Sequence, residues 1–113
     1  MPSKDEQIKA IELIYREAHS NAMVACQRHI DENPDQWYPC GFAWVDIKPA
    51  RGPFVAFLKV NKIGHIGTYG GWCVYNPSDN MTQWMDAKYI GALAFAQTLQ
   101  RYGINATAVS RID

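Results

Sequence analysis

A chain of 113 residues is long enough for one hydrophobic core and too short for two. Lys plus Arg and Asp plus Glu number 11 each, so no overall field draws the chain to a nucleic-acid duplex or an anionic membrane, and any anion site has to be a local cluster. Apolar residues at 48% and charged ones at 19% describe a folded globular protein rather than a disordered one.

Ser3 followed three residues later by Glu6 is a capping-box signal, and Pro34 stops what begins there, so the first helix is predicted from Lys4 to Asp31. Ile8, Ile11, Tyr15, Ala18, Ala22 and Ala25 step by three and four along it, while Leu13, Ile14, Met23, Val24, Cys26 and Ile30 widen that stripe. About 28 residues at 1.5 Å each give ~42 Å, longer than the ~30 Å width of a compact domain of this size. The excess apolar surface calls for a second molecule, and Ala18, Ala22 and Ala25 would let a partner helix come close, so a homodimer with this helix in its interface is expected, with a higher homo-oligomer as the alternative assembly. The alternative is a helix wrapped wholly around its own sheet.

Asn33 to Pro39 is a turn-rich linker. Gly41 to Ile47 alternates, with Phe42 and Trp44 on one face and Ala43, Val45 and Ile47 on the other, and Phe54 to Val60 follows it. These two runs are predicted as antiparallel strands joined by the loop Lys48 to Pro53, with both faces apolar and so both covered. A further strand is expected at Trp72 to Tyr75, then a turn cluster from Asn76 to Asn80. Gln83, three residues after Asn80, is placed to open a second helix in the capping-box manner. That helix spans Asp86 to Tyr102, with Gly103 just beyond its end and Ile104 as its apolar contact, and Ala106 to Ile112 is the last strand. The expected fold is α+β in one domain: a long N-terminal helix over 4–31, then a core over 40–113 made of a largely antiparallel sheet, a second helix packed on it and a C-terminal strand.

The stretch with most chemistry is Lys59 to Trp72, with two lysines, a histidine, four glycines, a tyrosine and a tryptophan in fourteen positions. Glycine permits close backbone approach, cations attract phosphate, and flat rings offer a face to a base, which together suit an anionic, aromatic ligand. The competing reading is a mobile hairpin with its rings in the core. Arg51, Lys59, Lys62, His65, Arg101 and Arg111 are candidate phosphate partners. Tyr69, Trp72 and Trp84 are candidate stacking rings, and Asn76, Asn80 and Gln83 are candidates to read a base edge or ribose hydroxyls. The ligand set carried forward is Arg51, Lys59, His65, Tyr69, Trp72, Asn80, Gln83, Arg101 and Arg111.

Catalytic equipment is sparse by comparison. Cys26, Cys40 and Cys73 are odd in number and lack CxxC spacing, which suits reduced thiols in a cytosol and disfavours a disulfide framework or a zinc knuckle. His19 and His29 differ by about 80° of helical phase and lie too far apart along the axis for one metal ion. Cys73 with His65 would be the only nucleophile and base pair, and no nucleophile elbow or P-loop surrounds them. Neither an enzymatic role nor a cofactor is expected. No apolar run approaches the ~18 residues of a membrane span, and the polar N-terminus carries no visible address.

Gly41-Phe42-Ala43-Trp44-Val45, Arg51-Gly52-Pro53-Phe54, Gly70-Gly71-Trp72, Gln83, Met85-Asp86-Ala87-Lys88, Gly91-Ala92 and Ser110-Arg111-Ile112-Asp113 look like a family of small phage-encoded proteins, and the chain resembles the anti-Thoeris sponges over most of its length after the first helix. The resemblance implies a protein of the bacterial host cytoplasm that captures the cyclic ADP-ribose isomer made by TIR-domain defence proteins and holds it without cleaving it. It also implies dimers or larger assemblies with nucleotide pockets at subunit junctions. Sequestration agrees with the residues, because holding a ground state needs no transition-state machinery. Two other functions stay open: a module that inhibits a host protein or serves as a small virion component, suggested by the apolar breadth of the first helix, and a small hydrolase built on Cys73 and His65.

Overall fold

The computed structural model describes residues 3–34 and 39–113, so residues 35–38 of the expected linker lie outside the described residues. Seven elements follow in order: α1 (Lys4–Glu32), β1 (Gly41–Ile47), α2 (Pro53–Val60), β2 (His65–Ile66), β3 (Trp72–Tyr75), α3 (Met85–Arg101) and β4 (Ala106–Ile112). The fold is α+β, with a four-stranded sheet in the order β2-β3-β1-β4 and every neighbouring pair antiparallel. One rim is the two-residue β2; the other is the seven-residue β4.

α1 begins where its cap signal places it. Ser3 is extended and its Oγ accepts the Glu6 N–H at 3.2 Å, satisfying one of the donors a helix start leaves over. Ala18, Ala22 and Cys26, four residues apart, are fully buried against α3. A Cβ added to Gly91 of α3 would stand 2.9 Å from Ser78 Cβ and 3.2 Å from the Ala22 carbonyl oxygen, so the two helices meet closely where α3 has no side chain. The small residues of α1 therefore do admit a helix at close range, and in this chain that helix is α3. Ile8, Leu13, Met23 and Val24 remain exposed, and the molecule extends 52 Å along its longest axis.

The segment 54–60, expected as a strand, is instead the helix α2. Pro53 sits at its first position, where a missing N–H is harmless, and Gly52 precedes it at φ 105°. Phe54, Val55 and Leu58 then fall on one helical face and are buried, while Phe57 turns toward Tyr15 of α1 at 5.8 Å between ring centroids. A run that is apolar in nearly every position carries no period with which to choose between helix and strand.

α3 covers the sheet's inner face. Ala43, Val45 and Ile47 of β1, Val74 of β3 and Ala106 of β4 form one core with Ala92, Phe95, Ala96 and Leu99 of α3 and the buried side chains of α2. The end of α3 is closed as expected: Gly103 adopts φ 79°, its N–H bonds to Gln100 and the Ile104 N–H reaches back to the Leu99 carbonyl. Its start differs from the expected capping box. Asn80 Oδ1 accepts from the Thr82 N–H at 2.9 Å and Thr82 Oγ1 from the Trp84 N–H at 3.2 Å, two short turns that lead into the helix without Gln83.

Candidate functional site

Side chains alternate across a strand, so register decides which of them share a face. Trp44 stands opposite Tyr75 and Val109, Phe42 opposite Arg111, Asp46 opposite Cys73 and Thr107, and Cys73 opposite His65. These residues make up the sheet's outer face, opposite α3. It is open, with Phe42 40% and Tyr75 53% exposed, so only one of the two faces expected to be covered is covered within this chain.

Two adjoining hollows lie on this face and share Trp44 and Tyr75 as the ridge between them. The first, about 360 Å³, is walled by Phe42, Asn76, Lys88 and Arg111. The second, about 490 Å³, is walled by Asp46, Lys48, His65, Tyr69 and Cys73. Both volumes fall in the range of small-molecule sites, roughly 300–1,000 Å³.

Each hollow has its own chemistry. Arg111 and Lys88 both stand 5.6 Å from the centre of the Phe42 ring, which concentrates two positive charges around one apolar plate. Lys88 reaches there from α3 because the start of that helix is tied to the start of β1: the Gly41 N–H bonds to the Gln83 carbonyl, and Lys88 Nζ donates to the Gly41 carbonyl at 3.0 Å. Gly41 suits this crowding, since a Cβ there would lie 2.6 Å from the Arg111 carbonyl oxygen.

At the ridge, the Trp44 and Tyr75 rings are 5.5 Å apart and tilted by 56°, and His65 stacks on Tyr75 at 4.9 Å. Beside them Cys73 Sγ donates to Asp46 Oδ1 at 2.8 Å. Burial first, and then this carboxylate, push the Cys73 thiol up to about 12. A nucleophilic cysteine needs the opposite shift, so the chemistry of Cys73 is that of a donor holding Asp46 in place.

The nine ligand candidates do not meet in one cavity. His65, Tyr69 and Arg111 share the open face, with Tyr69 88% exposed in the turn between β2 and β3. Trp72 belongs to the inner side: it stands opposite Ile47, its Nε1–H donates to the Ile63 carbonyl at 2.9 Å, and Lys59 lies 5.2 Å from its ring while bonding the Ala50 carbonyl. Arg51 borders a separate hollow with Ile11 and Tyr102. Asn80 reaches Gln27 of α1 at 3.1 Å, and Gln83 Oε1 is 3.9 Å from Cys40 Sγ. Arg101 faces Glu17 of α1 at 3.8 Å.

Phe42, Trp44, Asp46, Tyr75 and Lys88 were missing from that set. The alternation of Phe42 and Trp44 was the available signal; nothing local says that their face is the uncovered one. Among the described residues no group of His, Cys, Asp or Glu is placed to hold a metal ion, and no helix is long and apolar enough to cross a membrane. No family model, curated protein or solved structure matches the chain.

Proposed function

We propose that this protein binds and sequesters a phosphorylated, ring-bearing small molecule of the cyclic nucleotide kind on the open face of its sheet, without cleaving it. The observation that carries this reading is the co-location of Phe42, Trp44, Tyr75 and His65 with Arg111 and Lys88 on a face that, among the described residues, no helix covers. Bases stack on exposed rings of antiparallel sheets, and cations at the rim of such a platform complement phosphate. The resemblance to the anti-Thoeris sponges supplies the first ligand to try, a cyclic ADP-ribose isomer, and with it a phage anti-defence role in the bacterial host cytoplasm.

Self-association belongs to the same proposal. With Ala18 and Ala22 turned to α3, the exposed Ile8, Leu13, Met23 and Val24 of α1 are what a second copy would cover. A module that grips a host protein is the competing function, favoured by those same side chains.

Calorimetric titration with cyclic ADP-ribose isomers, followed by heating and chromatography of the released material, tests the proposal. Saturable binding that is lost on Trp44→Ala, with return of intact ligand, is the expected result. Recovery of a hydrolysed product, or the absence of any nucleotide-dependent rise in Tm, would overturn it.

A further inference from the structure

We infer that the open face takes its ligand in one orientation, with phosphate against Arg111 and Lys88 around Phe42, and an amino-bearing heterocycle over the Trp44 and Tyr75 rings that presents its N–H edge to Asp46. The inference deepens the function proposed above and rests on it.

Three features of the site carry it. Phe42, Trp44 and Asp46 are alternate residues of one strand, so they lie in a row on one face, and ~13 Å of strand separates the first from the last. The two ends of that row differ in charge. Arg111 and Lys88 flank the first ring in a hollow that no carboxylate lines among the described residues. At the last side chain the Asp46 carboxylate offsets Lys48 in its own hollow, opposes a phosphate there and accepts hydrogen bonds without being able to donate any.

Asp46 is also held in position. The Cys73 thiol occupies its Oδ1, and a Cβ on Gly67 would meet Cys73 Sγ at 2.6 Å, so the turn after β2 presses on this pair and keeps it from swinging away. Among the described residues no other hydrogen bond reaches the carboxylate, which leaves Oδ2 for a donor on the ligand. Lys48 and His65 line the same hollow and suit acceptor atoms of a heterocycle beside its amino group. A base with an exocyclic amine, such as adenine, satisfies this pattern; a ring without one leaves the carboxylate unmatched.

The experiment uses three probes that differ by one group each: adenosine 5′-monophosphate, purine riboside 5′-monophosphate, which lacks only the amine, and adenosine, which lacks only the phosphate. The native protein is expected to favour the amine-bearing monophosphate over purine riboside monophosphate by about tenfold or more, the range of a hydrogen bond to a charged group. Asp46→Asn retains an oxygen for Cys73 and offers an N–H₂ in place of the second oxygen, so this preference should vanish. Arg111→Gln should weaken both monophosphates alike and leave adenosine unchanged. Equal affinity of the native protein for the two monophosphates refutes the orientation even if Asp46→Asn fails to fold. A preference that persists in folded Asp46→Asn also refutes it, as does an Arg111→Gln loss as large for adenosine as for its monophosphate. If none of the three probes binds, the orientation is overturned, while binding of a cyclic ADP-ribose isomer would still leave the sequestering function standing.

Discussion

Replacing Gly91 by Ala tests how α1 is held, because two effects of opposite sign meet at that position. In a helix interior Ala is favoured over Gly by about 1 kcal/mol, so on a helix with open space at this point the change would stabilise. Here the added methyl carbon would lie 2.9 Å from Ser78 Cβ and 3.2 Å from the Ala22 carbonyl oxygen, and neither neighbour is the free end of a flexible side chain. Ser78 is 3% exposed and its hydroxyl bonds to Asn76 Oδ1, so it has little room to retreat. Overpacking of this kind destabilises by about 1–3 kcal/mol, which leaves a net loss of up to about 2 kcal/mol after the propensity gain. For a domain of this size, at about 4 °C per kcal/mol, the Tm of Gly91→Ala should fall by up to roughly 8 °C. Thermal unfolding followed by circular dichroism measures it, with Gln97→Ala on the exposed side of α3 as a control that should move little. A rise in Tm for Gly91→Ala would refute the close packing of α1 on α3 and return the small residues of α1 to a partner molecule.

Stability should also decline at alkaline pH through Cys73. Its folded thiol stands at about 12 against an ordinary 9.0, so its contribution is fully present below pH 9 and is lost as pH rises toward 12; the slope in Tm over that window should shrink in Cys73→Ala. Alkylation at neutral pH should label exposed Cys40 long before buried Cys26 and Cys73, read by intact-mass spectrometry, and fast labelling of Cys73 would contradict its bond to Asp46. Trp72→Phe removes the 2.9 Å bond to the Ile63 carbonyl and should destabilise by about 1 kcal/mol in urea unfolding, leaving nucleotide affinity unchanged. Tyr69→Ala should change stability by less than about 0.5 kcal/mol, since the ring is 88% exposed, so any loss of ligand affinity in that variant reports on binding alone.

The elements that were legible are those with a period or a terminal signal. Ser3 and Glu6 mark the start of α1, alternation marks β1, and Gly103 with Ile104 marks the end of α3. Eight residues from Pro53 to Val60 are apolar at most positions and carry no clear period, and Pro53, which opens the helix, equally suits the end of a loop, so α2 was mistaken for a strand. The site was harder because it is made by register. Phe42 and Trp44 are visibly on one side of β1, but Arg111 joins Phe42 only through a pairing across about seventy positions of sequence, and Lys88 only through the tie between α3 and β1. Trp72 and Lys59, close in sequence to His65 and Tyr69, went the other way: a single step along β3 separates Trp72 from Cys73 and turns it to the inner side.

The two rims of the sheet are unequal, and this limits how the sheet could grow. β2 offers two residues of backbone, too few to template another strand, whereas β4 runs for seven with a strand neighbour on one side only. A sheet with one usable border that meets its own copy across a two-fold axis forms a single continuous eight-stranded platform and then stops, because both remaining borders are the short ones. Such a pairing would set two ring-bearing faces side by side on one surface, and the described residues offer no second long border from which a filament could propagate.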